Sequence, residues 1–436
     1  MPTVAQVPGN FKQVYWKYLN PLPSMGSIAA LTPLVPPDQQ EGDSFVFGVQ
    51  TSYEHGQTAN SDGTGFTLRA PIGQRIAQAL IRGASLVMNV DLPTPLMFKA
   101  KNANNGQGGG SFLSGMEVAL KGGAGGLELY RDLALAYGPG PNAALASNIG
   151  VVSTTAGGNL NTVQQVRLTR ASFIPGLWPN MVNAQVDIYQ ADLTTPRETD
   201  VNVIAYPVEG QTLISLQKVG SSATPTATDV IVPAGWRTTS CFGMEAIFNN
   251  NTTMFGIDAS TTPFWKCQTV AVGGPLSYDK IQEIGQKSAL AGNDKGGKLL
   301  VCVNAIVSLA IETKNNPQFI EGDISSGGLE EKTQGAQRFR YRTPCGVIEV
   351  IPHQQGKQGQ GFFLANMPAN EINFKRVGAA DITLQVPGDT GSPLVKDPNR
   401  AAQLLRYYSY QAPIFPMPRR NVLATGIVSP GDALDA

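Results

Sequence analysis

The chain has little charge, few histidines and no paired cysteines. Only 15% of its 436 residues are charged, against roughly 25% in ordinary soluble proteins, and its 32 basic residues are balanced by 32 acidic ones. A net charge of zero removes the bulk attraction on which sequence-independent nucleic-acid binders depend. Tight DNA binding is therefore not expected. Surfaces poor in charge favour contact with other protein, most simply with further copies of the same chain.

The four cysteines are widely separated and form no Cys-x-x-Cys pair: Cys241, Cys267, Cys302 and Cys345. This spacing argues against a zinc site and favours buried thiols in a reducing compartment. No apolar run approaches the roughly 20 residues that span a bilayer, and the first residues lack the basic flank and apolar core of a signal peptide. We predict a product made in the cytosol, with no membrane contact, no metal and no cofactor.

The strongest pattern lies in residues 111–138, SFLSGMEVALKGGAGGLELYRDLALAYG. Ser114 followed by Glu117 forms a capping box, and Gly138 followed by Pro139 is a stop signal. We predict one helix over about 114–137, roughly 36 Å long at about 1.5 Å per residue. Its apolar residues recur in steps of three and four, the spacing of one helix face: Leu113, Met116, Leu120, Ala124, Leu127, Tyr130, Ala134 and Tyr137.

Four glycines interrupt the middle of this helix: Gly122, Gly123, Gly125 and Gly126. Each costs about 0.8–1 kcal/mol relative to alanine in a helix interior. Their presence predicts either a bend, with the glycines acting as a hinge, or a close approach of a neighbouring backbone.

Prolines break residues 1–43 into an arm that cannot build a core of its own. Its aromatic side chains Phe11, Tyr15 and Trp16 are expected to pack on a neighbouring subunit, because a disordered leader, the alternative, is normally poor in aromatic residues. From Ser44, alternation with period two around a turn-rich centre predicts an extended hairpin loop. We expect this loop, over 44–100, to make few contacts with its own subunit.

After the helix, short alternating runs separated by glycine, proline and asparagine turns predict an antiparallel β-rich body. The segment PLSYDKIQEIGQKSALAG predicts a helix capped by Ser277, with Ile281, Ile284 and Leu290 facing inward. An apolar run after Lys298 predicts a central strand that leads into a helix. Further strands follow, and the predicted fold class is α+β.

The nearest approach to a catalytic motif is GDTGSP, from Gly388 to Pro393. It resembles the segment around the nucleophile of trypsin-like proteases, with Thr390 in place of the serine. That mechanism needs a histidine and an aspartate earlier in the chain, but His353 lies too close upstream and His55 lies in a glycine-rich loop tip. We interpret the segment as a β-turn, assign no catalytic residue and predict that the chain is not an enzyme.

Other patterns have ordinary explanations. His353, at the end of a strand, is predicted to be a hydrogen-bonding surface residue. Arg338, Arg340 and Arg342 share one face of a strand, which favours an intersubunit ion pair over nucleic-acid contact. The glycines before the helix lack the Gly-Lys-Ser or Gly-Lys-Thr of a phosphate loop: Gly106, Gly108, Gly109 and Gly110.

The order of these parts resembles the major capsid protein of tailed bacteriophages. An arm, a long hairpin, a long helix, a β-rich body, a second α/β unit and returning C-terminal strands follow one another over nearly the whole chain. The strings that carry the likeness are GLELYRDLALAYGPG, AGWRTTSCFGMEAIFNNNTTMFGIDASTTPFWKC and GVIEVIPHQQGKQGQGFFLANMPANEINF. None of them is a catalytic signature.

This resemblance implies a structural protein of the virion, assembled in the host cytoplasm into pentamers and hexamers of an icosahedral shell around double-stranded DNA. A separate scaffolding protein, a portal and, in some shells, a decoration protein are the implied partners. The alternative is another assembly protein, such as a tail or sheath subunit or an encapsulin-like shell. The implied Hong Kong 97-type fold has an N-terminal arm (1–43), an extended loop (44–100), a peripheral domain with the spine helix (101–276), an axial domain (277–375) and C-terminal strands returning to the peripheral domain (376–436).

Overall fold

The computed structural model combines one long helix, a closed barrel and two larger sheets. The predicted α+β class is confirmed. Every structural statement below concerns the residues that the structure describes, which are 34–35, 40–41, 44–53, 57, 70, 73, 75–93, 110–141, 147–155, 157–206, 212–292, 298–304, 339–343, 346–353, 355–367, 371–372, 374–383, 394–396 and 402–428.

The long helix α1 spans Gly110–Tyr137. It ends where the sequence predicted and begins somewhat before the predicted start near residue 114. Its last seven residues, 131–137, are all buried, whereas an amphipathic stripe predicts burial of one face only. The chain leaves the helix at Gly138, where a Cβ would collide with the backbone oxygens of Cys241 and Ala134. None of the helices among the described residues is long and apolar enough to cross a membrane.

A five-stranded sheet lies under α1. Side chains of one of its strands, Leu86, Met88 and Val90, pack with Tyr407 around Leu127 of the helix. Apolar side chains from the two elements therefore cover each other. In spatial order the strands are β1 (Leu34–Val35), β20 (Lys375–Thr383), β22 (Ala402–Ile414) and β21 (Leu394–Lys396), with β5 (Ala84–Pro93) also paired to β22.

The strand predicted from Ser44 forms a hairpin with residues 75–82, and the base of this hairpin belongs to the core of its own subunit. Phe45, Ala79 and Ile81 are buried in the main hydrophobic cluster, and the backbone N–H of Leu80 donates to the carbonyl of Phe255 at 2.9 Å. The expectation of few contacts is therefore wrong for the hairpin strands and for β5, because the body covers one of their faces. The hairpin strands are β2 (Gln40–Glu41), β3 (Ser44–Ser52) and β4 (Arg75–Arg82).

The β-rich body is a six-stranded closed barrel in which every neighbouring pair is antiparallel. In order around the barrel the strands are β10 (Leu213–Gln217), β7 (Gln164–Leu168), β6 (Gly150–Thr155), β11 (Val230–Pro233), β8 (Gln185–Tyr189) and β9 (Pro196–Ala205). Its buried interior is filled by branched side chains, among them Val166, Leu168, Ile188, Val203, Ile214 and Leu216. The antiparallel pairing was predicted, and the closure was not.

A second sheet, of seven strands, forms the other large body. Its strands are β14 (Gln268–Gly274), β23 (Val422–Ile427), β18 (Gln360–Met367), β15 (Lys298–Asn304), β17 (Gly346–His353) and β16 (Phe339–Thr343), with β19 (Glu371–Ile372) paired to β18. The strand predicted after Lys298 is central, as expected, and the helix predicted to follow it lies outside the described residues. β23 joins this sheet although the sequence grouped it with residues 376–436. The domain limits remain a prediction.

Short helices connect these bodies, and one longer helix covers the second sheet. This helix, α4 (Tyr278–Leu290), is capped by Ser277, whose side chain accepts a hydrogen bond from the backbone of Lys280. Ile281 and Ile284 are buried as predicted, whereas Leu290 is 88% exposed. Leu290 was therefore wrongly assigned to the core. It follows Ile281 by nine residues, or about two and a half turns at 3.6 residues per turn, so it lies on the opposite face of the helix from the buried Ile281, Ile284 and Ser288. The shorter elements are α2 (Trp236–Thr239), α3 (Met244–Phe248), β12 (Thr253–Met254), β13 (Ile257–Asp258) and 3-10 turns at 170–172, 178–181, 263–265 and 418–420.

Two of the four cysteines lie among the described side chains. Cys241 and Cys267 are buried free thiols, in agreement with the prediction. Burial raises the pKa of Cys241 to about 12, so its reactive thiolate is disfavoured at neutral pH.

Candidate functional site

Several predicted site residues lie outside the described residues. They are Phe11, Tyr15 and Trp16 of the arm, His55 and the GDTGSP segment, and their roles stay predictions. Of the three arginines, Arg340 and Arg342 lie on β16, where Arg340 stands opposite Glu349 of β17 in the strand register.

The four helix glycines fall into two pairs. A Cβ at Gly123 would meet the ring of Tyr407 at 3.0 Å, with Val90 closer still, and one at Gly126 would meet Met88 at 3.0 Å. No atom of the described residues lies within 4 Å of a Cβ at Gly122 or at Gly125. The geometry of Gly123 and Gly126 thus fits the close-approach alternative, here toward side chains of the sheet, while a hinge role for the four glycines remains a prediction.

Alanine substitutions in the two pairs should have opposite effects on stability. Gly122→Ala/Gly125→Ala should raise the free energy of unfolding by about 1–2 kcal/mol, since alanine favours the helix and meets no neighbour. Gly123→Ala/Gly126→Ala should lower it by about 1–3 kcal/mol through overpacking. Urea denaturation of both variants tests this. If both double variants change the free energy of unfolding equally, the packing argument is contradicted. The hinge is tested separately: assembled shells of Gly122→Ala/Gly125→Ala that rearrange at the same rate as wild-type shells would contradict it.

Four polar side chains from distant parts of the chain meet at the C-terminal end of α1. We call Tyr137, Asn148, Glu245 and Lys357 the polar junction. Lys357 Nζ lies 2.5 Å from Glu245 Oε1 and 3.3 Å from Asn148 Oδ1, and 4.8 Å from the centroid of the Tyr137 ring. The Lys357 and Glu245 side chains are only 1% and 2% exposed. The ion pair is therefore closed off from bulk water.

Backbone groups complete this arrangement. The Tyr137 hydroxyl donates to the carbonyl of Gln355 at 2.9 Å and accepts from the backbone N–H of Lys357 at 3.0 Å. Ser147 Oγ and the backbone N–H of Asn148 both donate to Glu245 Oε2, at 3.1 and 3.2 Å. Desolvation lowers the pKa of Lys357, and the Glu245 carboxylate opposes that shift. Burying an ion pair costs desolvation free energy, but removing only one of its two partners destabilises the folded protein more, because the other charge is left buried and unpaired.

The loop that carries Lys357, between β17 and β18, also contacts the segment that follows barrel strand β7. Backbone N–H groups of Gln358 and Gly359 donate to the carbonyls of Phe173 and Ala171, at 3.0 and 3.2 Å. Gly359 has no room for a side chain, because its Cβ would lie 2.6 Å from the Cα of Ala171. This loop therefore joins the seven-stranded sheet to both α1 and the barrel.

His353, at the start of the same loop, is not the surface residue that the sequence predicted. It is 3% exposed, and within the described part of the chain its Nε2 has no hydrogen-bond partner. Burial lowers the pKa of His353 to about 4, because the imidazolium would lose its hydration. The end of the strand is therefore buried, and so are residues 355–359 of the polar string that follows it.

Sequence reasoning missed the polar junction. The string HQQGKQGQ reads as an ordinary solvated turn, and Lys357 stands 112 residues away from its partner Glu245. No local spacing links two residues so far apart. The available signal was weak: a polar loop between two apolar strands, in a chain where charged residues are scarce.

One exposed surface is apolar. On β4, Ile76 and Leu80 are 62% and 44% exposed, and Tyr53, just beyond β3, is 71% exposed. β4 is paired with β3. Ile76 and Leu80 lie on the exposed face of this hairpin, whereas Ala79 and Ile81 lie on its buried face. A second exposed ring, Phe264, lies 5.4 Å from the guanidinium of Arg419.

Comparison with known proteins identifies the fold. No family model and no curated protein sequence matches the chain. Among solved structures, a chain from the capsid of cyanophage A-1(L) matches with a TM-score of 0.52 and 10% identity, over 94% of this chain and 96% of that one.

Two further structures are less similar. A chain from Mycobacterium phage Adephagia has a TM-score of 0.41 and 10% identity, over 96% of this chain and 97% of that one. The SrpI encapsulin of Synechococcus elongatus has a TM-score of 0.39 and 8% identity, over 97% of this chain and 95% of that one. Only the cyanophage score is high enough to argue from, and its low identity establishes the fold alone. The chain has the capsid fold of tailed phages, the Hong Kong 97-type fold that its sequence resembles.

Proposed function

We propose that this chain is the major capsid subunit of a tailed phage, which self-assembles into the icosahedral head around double-stranded DNA. One observation carries the proposal: the fold of the cyanophage capsid chain extends over 94% of this chain and 96% of that one. An end-to-end match leaves little of either chain to support a different architecture.

The surface chemistry supports self-association. Charged residues are few, and Ile76, Leu80 and Tyr53 expose an apolar surface on the hairpin. Such patches, bordered by polar residues, are typical of protein interfaces. A neutral chain also avoids strong attraction to the DNA that a shell has to enclose.

The proposed partners are other copies of the chain in pentamers and hexamers, a separate scaffolding protein, a portal and a decoration protein. The proposed location is the virion, with assembly in the host cytoplasm. We propose no reaction. Among the side chains that the structure describes, no three His, Cys, Asp or Glu come close enough together to hold a metal ion.

Electron microscopy of the purified full-length chain, expressed with its scaffolding protein, tests the proposal. Closed icosahedral shells are expected, and tubes would support a tail or sheath subunit instead. Particles from infected cells should contain DNA, whereas a compartment shell would contain protein cargo. The same assay on a chain without residues 1–20 tests the arm: normal particles would contradict a contact role for Phe11, Tyr15 and Trp16.

Removing the apolar surface of β4 should weaken assembly without unfolding the subunit. Ile76→Ser/Leu80→Ser is expected to raise the protein concentration needed for shell formation about tenfold or more, equivalent to about 1.4 kcal/mol per contact. Gln78→Ser, on the same exposed face between them, is the matched control and should assemble normally. Light scattering against concentration measures the threshold. Thresholds equal to wild type would show that this surface is not an interface.

A further inference from the structure

An apolar surface lies at the C-terminal end of α4, where the 3-10 turn before β23 contacts both α4 and the turn at 263–265. Three large side chains from these elements are exposed: Leu290 by 88%, Phe264 by 50% and Met417 by 39%. The guanidinium of Arg419 lies over the Phe264 ring, 5.4 Å from its centroid. We call these four residues, together with Lys266, the α4 platform. Apolar side chains that are exposed together indicate a contact with other protein.

Hydrogen bonds fix the elements of the platform to one another. The side-chain amide of Gln268 donates to the carbonyls of Lys287 and Arg419, at 2.9 Å each. Ser288 Oγ donates to the carbonyl of Arg420 at 2.7 Å. These bonds hold the end of α4 against the neighbouring turn. The surface is therefore preformed, and a partner that binds it does not have to order it first.

The platform is positively charged. The three stretches that form it, 263–268, 286–292 and 416–421, contain four basic residues and no acidic one. The basic residues are Lys266, Lys287, Arg419 and Arg420. The carboxylate of Glu283 balances Lys287 at 3.6 Å, which leaves the other three in excess. A chain with zero net charge thus concentrates positive charge beside an apolar surface, and the partner that fits it is acidic and apolar.

This chain itself contains such a sequence in residues 315–331, NNPQFIEGDISSGGLEE, which lie outside the described residues. We call it the acidic segment. It has no basic residue and four acidic ones: Glu321, Asp323, Glu330 and Glu331. Its large apolar residues are Phe319, Ile320, Ile324 and Leu329. In charge and in apolar content the acidic segment complements the α4 platform.

We propose that the acidic segment of one copy docks on the α4 platform of the next copy. In this contact the apolar side chains of the segment cover Leu290, Phe264 and Met417, and its carboxylates face the basic residues around them. Opposite charges also fix the register of the two surfaces and disfavour wrong partners, because like charges repel. The inference rests on the proposed self-assembly and names the surfaces by which neighbouring copies recognise each other.

The sheet topology favours a neighbouring copy over the same copy. β18 is antiparallel to both β15 and β23, so those two strands run in the same direction. The acidic segment follows the end of β15, whereas the platform turn precedes the start of β23. The chain therefore leaves the sheet at the edge opposite to the platform. A contact between two different surfaces of identical copies repeats head to tail and can close into a ring, as pentamers and hexamers require.

Disulfide trapping in assembled full-length protein tests the contact. Leu290→Cys is combined, in three separate variants, with Ile320→Cys, Ile324→Cys or Leu329→Cys. The particles are oxidised and separated on a denaturing gel without reductant. At least one pair should give covalent chains of more than two copies, because each copy supplies one platform and one segment. Leu290→Cys alone, which retains the four native cysteines, is the control and should give no such chains.

The other outcomes are distinct. Closed shells without covalent chains in all three pairs would overturn this inference alone. A disulfide within single copies would assign the segment to its own platform and would also overturn it, as would equal covalent chains in Leu290→Cys alone. Wild-type protein that forms no closed shells would overturn the proposed function, and this contact with it.

A charge exchange tests the complementarity separately. Arg419→Glu and Glu331→Lys should each raise the protein concentration needed for shell formation about fivefold, the upper end for one exposed ion pair. Arg419→Glu/Glu331→Lys should recover much of this loss. Arg167→Glu/Glu331→Lys has the same net charge but alters an exposed arginine of the barrel, and it should not recover. A wild-type threshold for Arg419→Glu, or equal recovery in both double variants, would overturn the proposal.

Discussion

Replacing Glu245 by glutamine should lower the free energy of unfolding by about 3–5 kcal/mol, the usual cost of removing one partner from a buried ion pair. The substitution keeps the size of the side chain. It removes the carboxylate 2.5 Å from Lys357 Nζ and leaves the amine buried without a countercharge. Urea denaturation followed by fluorescence measures the loss, and a change below about 1 kcal/mol, typical of an exposed pair, would contradict a structural role for the junction.

A second substitution separates the effect of the unpaired buried charge from the effect of altered side-chain packing. Lys357→Met added to Glu245→Gln removes the unpaired amine and keeps an unbranched side chain, so it should recover part of the lost stability. The exposed Lys280–Glu283 pair, at 2.8 Å, is the matched surface control, and Glu283→Gln should change stability little because water screens it.

The pH dependence of unfolding should reveal His353. Its pKa in the folded protein is lowered to about 4 by burial, whereas the pKa of histidine in an unfolded chain is about 6.5. Between these values the unfolded chain binds a proton that the folded chain does not, so stability falls as pH falls through this window. The full loss is about 3 kcal/mol, from roughly 1.4 kcal/mol per pKa unit. Above the upper value this contribution to stability is fully present.

His353→Gln provides the comparison, because glutamine does not titrate. Carboxylates also titrate toward the acid end of this range, but they do so in both proteins, so the difference between the two curves belongs to His353. That difference should change across the window from pH 6.5 to pH 4 and stay constant above it. Parallel curves from neutral pH down to the acid limit of folding would mean that His353 is accessible to protons in the folded protein.

Local patterns were sufficient for elements whose signals lie within one stretch of chain. The C-terminal end of α1 at Tyr137, the Ser277 cap of α4 and the strand after Lys298 were all predicted. In each case the signal lies within a few residues: a glycine stop, a capping serine or a continuous apolar run. The order of these elements was also enough to indicate the capsid fold.

The same signals failed where an element meets a distant partner. Glycine has the same helix propensity at all four positions of α1. Yet Gly123 and Gly126 face side chains of the sheet, while no described atom lies near a Cβ at Gly122 or Gly125. The last seven residues of α1, 131–137, are all buried, although an amphipathic period predicts burial of one face only. A period shows which face is apolar, and only the partner decides how far burial extends.

By itself, the sequence determined that this is an α+β chain with little charge, with a long helix that ends at Tyr137 and with a strand after Lys298. Only the tertiary structure decided that the barrel closes, that the loop after His353 is buried, and that Asn148, Glu245 and Lys357 meet. The physical reason is that periodicity and capping act over a few residues, whereas these contacts join segments up to 209 residues apart. Such partners are selected by the packing of the whole subunit, and no short stretch of sequence encodes them.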